Sequence, residues 1–198
     1  MIDLEPATRQ MAALIGGVTD AQLGNPTPCP DYSVGDLLDH IGGLSLAFTA
    51  AARKDLGGPA GQGPSGDGSR LDSNWRQEFP ARLAALAEAW RVPSAFEGMT
   101  QAGGIDLPGE VAGLVALDEV VVHGWDLARA TGQRYECDES TLEFVRGFVA
   151  QFAVPDQDAE SNGLFGPAVP VAADAPLLDR VIGLTGRDPS WSPRAGES

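Results

Sequence analysis

The chain has 198 residues, 43% of them hydrophobic, enough for one domain with a buried core and too apolar for wholesale disorder. Its formal net charge of −15 repels phosphate backbones and anionic membrane surfaces, so neither nucleic acid nor a membrane is an expected partner. No apolar run approaches the ~20 residues that cross a bilayer, and the opening MIDLEPATRQ has acids where a secretory signal needs basic residues and an apolar stretch, so a cytoplasmic protein is expected.

A first helix is predicted over residues 3–23, with Met11, Leu14, Ile15 and Val18 on its apolar face. The prolines of NPTPCPDY (25–32) break it. Ser33 followed by Asp36 has the pattern of a capping box, and behind it Val34, Leu37, Leu38, Ile41, Leu44 and Phe48 keep a helical period. That second helix carries His40. Residues 55–70, DLGGPAGQGPSGDGSR, are half glycine or proline and read as a flexible connection that takes no part in a site.

A third helix is expected over roughly 72–91, where Trp75, Phe79, Leu83, Leu86 and Trp90 form one stripe and Pro80 should kink or restart it. AFEGMTQAGGIDL (95–107) reads as a small hairpin around QAGG. Pro108 suits the first turn of a long helix that runs to Thr131 and ends against Gly132. Asp138 or Ser140 caps a further helix through Phe152. The rest is loop-rich, with one short helix near 175–185 stopped by Gly186. No strand pattern could build a large sheet. The expected fold is all-α: a four-helix bundle with a small hairpin over 1–153 and a loop-rich C-terminal extension over 154–198.

The chemistry concentrates in LDEVVVHGWDLARATG, residues 117–132. His40 and His123 are the only two histidines in the chain. Glu119 lies one helical turn before His123, so their Cβ atoms stand about 5–6 Å apart and both side chains can reach one point. Carboxylate oxygen and imidazole nitrogen are good ligands for zinc and other divalent first-row metals. Acids are 28 of 198 residues, so chance alone puts one four places before a histidine about once in seven, and the spacing does not decide the matter. Asp36 stands four before His40 too, and capping explains it. Two readings stand: a metal site completed by a residue from elsewhere, or a buried Glu–His pair without metal. Asp126, near the same face as His123, either accepts the second imidazole N–H or serves as an ordinary acid, partnering Arg129 or Arg134. Trp125 reads as core or pocket wall. Cys29 and Cys137 form no C-x-x-C pair, which excludes a four-cysteine zinc site and leaves two free thiols.

DLLDHIGG together with LDEVVVHGWDLARATG resembles the DinB/YfiT-like superfamily, and more narrowly the N-terminal metal-binding domain of actinobacterial mycothiol-dependent maleylpyruvate isomerase. The tail FGPAVPVAADAPLLDRVIGLTGRDPSW is similar to actinobacterial relatives known only as metal-binding proteins. The resemblance implies a DinB-like four-helix bundle with a metal, zinc or another first-row ion such as nickel, held by His40, Glu119 and His123. It implies mycothiol as a thiol partner, used in a transferase or isomerase reaction on a small electrophile, and it allows a homodimer. A non-catalytic metal-binding or stress-response module fits the same residues. The isomerase has a distinct C-terminal domain, whereas only about 45 residues follow the last long helix here, so maleylpyruvate itself is expected to be a poor substrate.

Overall fold

A computed structural model describes residues 2–56, 58, 65–152 and 165–193. Four helices form the body: α1 (Glu5–Gly17), α2 (Val34–Ala52), α3 (Trp75–Ala89) and α4 (Gly109–Thr131). α1 and α2 each pack against both α3 and α4, which closes a four-helix ring. Two further helices follow, α5 (Glu139–Val149) on α4 and α6 (Leu177–Leu184) on α5. The only sheet among the described residues is a two-stranded antiparallel hairpin, β1 (Met99–Ala102) and β2 (Ile105–Pro108), between α3 and α4. The fold is thus all-α with a small hairpin, as the periodicities predict. No described helix is long and apolar enough to cross a membrane.

α2 is buried along most of its length, because the bundle surrounds it. Leu37, Leu38, Ile41 and Leu44 are wholly inaccessible. Its start is fixed by the expected capping box: Asp36 N–H donates to Ser33 Oγ at 3.2 Å, and Ser33 N–H donates back to Asp36 Oδ2 at 3.0 Å. The hairpin turns through Gly103 and Gly104, both with positive φ (60° and 79°), the geometry a two-residue turn needs. Thr100 Oγ1 donates to Ala51 O at 2.6 Å and ties the hairpin to the end of α2.

Four expectations need correction. The first helix stops at Gly17, because Val18 is extended (ψ 132°) and Thr19 caps a separate 3-10 turn, Asp20–Gln22, through Gln22. Pro80 does not interrupt α3. It lies in the second turn, where its missing N–H removes one bond, to the carbonyl of Arg76. α5 ends at Val149, short of Phe152, whose ring instead packs at 5.1 Å from that of Phe148. Part of the 55–70 connection lies outside the described residues, but its end is not remote from the bundle. Gly68 N–H donates to Asp36 Oδ1 at 2.7 Å, and Asp67 N–H to Asp39 Oδ2 at 3.1 Å. The opening of the C-terminal extension, 153–164, also lies outside the described residues.

Candidate metal centre

α2 and α4 lie side by side, and the register set by the Ser33 cap carries His40 to the face opposite Glu119 and His123. His40 Nε2 is 3.4 Å from Glu119 Oε2, and His123 Nε2 is 3.1 Å from the same oxygen. The two rings meet edge to face with centroids 4.8 Å apart. One donor atom from each residue falls within 4.8 Å of the other two. Both histidine side chains are about 9% exposed, while Glu119 is 26% exposed, so the carboxylate forms the open edge of the cluster.

The donor set fits a divalent first-row metal. Ligands at about 2.0–2.1 Å in a tetrahedron stand about 3.3 Å from one another, close to the two nitrogen–oxygen distances here. Each histidine also has its other ring nitrogen facing a different group, so Nε2 faces the shared point in both. His123 Nδ1 is 2.9 Å from Asp126 Oδ2. Tyr32 Oη is 3.5 Å from His40 Nδ1 and accepts a bond from Gly66 N–H at 3.3 Å.

Without a metal the cluster is a charged network. Burial alone would depress His123, but its hydrogen bonds to Asp126 and Glu119 outweigh that and raise it from 6.5 to about 9. Burial would raise Glu119, yet hydrogen bonds from His123 and His40 hold its carboxyl well below the usual range. Asp126 likewise is driven up by burial and pulled lower on balance by His123 and Arg187.

The structure brings together all three residues singled out for metal, His40, Glu119 and His123. Asp126, at zero exposure, has its Oδ2 2.9 Å from His123 Nδ1, and its cationic partner is neither Arg129 nor Arg134. Arg129 Nε donates to Trp191 O at 3.0 Å, and Arg134 pairs with Glu136 at 2.6 Å. The partner is Arg187, 61 positions downstream, where no local spacing could reveal it. Tyr32 was equally hidden, in a loop whose prolines and Cys29 give no sign that it folds onto His40. Asp118 was missed as well. It is 4% exposed, its Oδ1 has no hydrogen-bond partner, and burial, reinforced by Glu119, pushes its carboxyl well above the usual range. Trp125 is core, at 3% exposure. Cys29 and Cys137 are free, and burial raises both thiols, Cys137 to about 12.

The helical bundle turns two imidazoles and a carboxylate toward one point, and its fold is DinB-like. Within that class, the profile of the family described as mycothiol maleylpyruvate isomerase N-terminal domain matches residues 4–128, and the chain belongs to this family. Two uncharacterized proteins, one from each of two strains of Mycobacterium tuberculosis, are each 31% identical to it over 180 residues, covering 89% of this chain and 91% of theirs. The crystal structures of the mycothiol-dependent maleylpyruvate isomerase and of a histidine mutant of it share the fold, each with a TM-score of 0.51 at 17% identity, over 77% of this chain and 70% of theirs.

Proposed function

We propose that His40, Glu119 and His123 hold one divalent metal, zinc or another first-row ion, and that the protein uses it to activate a low-molecular-weight thiol, mycothiol, for transfer to or isomerisation of a small electrophile. The observation that carries this reading is the convergence of three donor atoms within 4.8 Å, with both histidine Nδ1 atoms turned to other groups. When bound, such a metal acts as a Lewis acid with one position open, lowering the pKa of a coordinated thiol. The chain does the rest. Asp126 accepts the Nδ1–H of His123 and keeps its Nε2 turned inward. Tyr32 packs its ring 5.2 Å from that of His40 and restricts it in the same way. The apolar walls of α2 and α4 keep water from the closed side, and the partly exposed Glu119 leaves the other side accessible. Family membership supports mycothiol as the thiol.

The test is elemental analysis of purified protein followed by cobalt substitution and mycothiol titration. One metal per chain and a thiolate-to-cobalt charge-transfer band that is absent in His123→Ala support the reading. One metal per chain with no response to any thiol supports a non-catalytic metal-binding or stress-response module instead.

A further inference from the structure

α6 ends in a Schellman motif: Gly186 has φ +81°, its N–H donates to Gly183 O at 3.1 Å, and Arg187 N–H donates to Ile182 O at 3.3 Å. That turn sends the Arg187 side chain back into the bundle. There Arg187 Nε donates to both Asp126 oxygens, at 2.9 and 3.1 Å, and Nη2 donates to Oδ2 at 2.9 Å. Nη1 is engaged too, donating to Thr185 O at 3.2 Å. The segment beyond is held by the bond from Arg129 to Trp191 O. Asp126 is fully buried and the Arg187 side chain is 14% exposed, so little water competes for either.

We infer that Arg187 is a positioning residue for the metal centre: its planar fork clamps the Asp126 carboxylate in the one orientation that receives His123 Nδ1–H, and so aims His123 Nε2 at the point shared with His40 and Glu119. A carboxylate held by one hydrogen bond can swing about its Cβ–Cγ bond, while one gripped on both oxygens by a guanidinium cannot. Such partners behind a ligand fix ring orientation, and losing one typically weakens metal binding about 10–100-fold. The residue lies outside the stretch matched by the family profile, 4–128, so the C-terminal segment completes a centre whose donors all lie within that stretch.

The inference deepens the metal reading, and its cobalt measurement rests on that reading. Arg187→Lys separates aiming from mere charge balance, because lysine keeps the positive charge and loses the fork. Cobalt(II) should bind Arg187→Lys about 10–100-fold more weakly than wild type while the helical circular dichroism is kept. The double variant Asp126→Asn with Arg187→Gln removes both charges and guards against misfolding. Its loss of affinity should be less than the product of the two single losses, since one brace is removed only once. A second measurement needs no metal: the downfield Nδ1 proton of His123 in the metal-free protein should exchange with water faster in Arg187→Lys. Cobalt affinity and proton exchange both unchanged in Arg187→Lys would overturn the inference. If wild type binds no cobalt, the metal reading falls, and the exchange measurement alone then decides whether Arg187 aims His123.

Discussion

In the metal-free protein, folding stability should fall between about pH 6 and about pH 8.5, and His123 should account for the fall. Its pKa is raised from 6.5 to about 9, so the folded state holds a proton that the unfolded chain gives up. The stabilisation is complete below the unfolded value of 6.5 and disappears as pH climbs through the folded value near 9. At about 1.4 kcal/mol per pH unit the full effect is on the order of 3 kcal/mol, with about 2 kcal/mol lost inside this window. The upper limit matters, since Cys137, pushed from 9.0 to about 12, begins to subtract stability once its unfolded value is passed. The assay is urea unfolding in a chelating buffer, wild type against His123→Gln. The wild-type curve should drop more steeply than the variant's, in which the raised Asp118 carboxyl still contributes a slope. Equal slopes in the two proteins would refute the assignment to His123.

The same proton opposes metal. Because Nε2 must be free to ligate, apparent zinc affinity should rise close to tenfold per pH unit up to about pH 9, readable by competition with a chromophoric chelator. Glu119→Gln keeps the shape and removes the charge, so metal content measured by inductively coupled plasma analysis should collapse while the helical circular dichroism stays. Gly42→Ala should cost about 1–3 kcal/mol in denaturant unfolding, because a Cβ there would stand 2.7 Å from the Phe79 ring and push α2 off α3. Gly66→Ala would place a Cβ 2.5 Å from Asp36 O and 2.8 Å from the Tyr32 ring, so it should loosen the loop over His40 and speed exchange at the Gly66 amide.

Much of the bundle was legible in the sequence because its signals are local. The Ser33–Asp36 box, the stripe from Trp75 to Trp90, and Gly132 in its left-handed conformation all act within a few residues of themselves. The Glu119–His123 pair was visible for the same reason. His40 could be proposed as the third member only because the chain has one other histidine and the resemblance names that helix. What stayed hidden is what depends on packing. Arg187 meets Asp126 only after α6 docks on α5, and Tyr32 meets His40 only after a proline-rich loop folds back. Pro80 misled because a single missing N–H leaves only the Arg76 carbonyl without its bond, and the packing of Phe79, Leu83 and Leu86 on either side keeps the helix continuous through it.

Distance along the chain also sets an order of assembly. His40 and Glu119 are 79 positions apart, and Asp126 and Arg187 a further 61. A ribosome adds about 5–20 residues per second, so the first histidine waits roughly 4–16 s for its carboxylate, and the second half of the cluster waits roughly 3–12 s more for its arginine. During the first interval the nascent chain holds one residue of the cluster. During the second it holds all three, before Arg187 has joined Asp126. The segment that carries Arg187 therefore follows all three donors in time as well as along the chain, and a chain that stops short of it would present them without the brace.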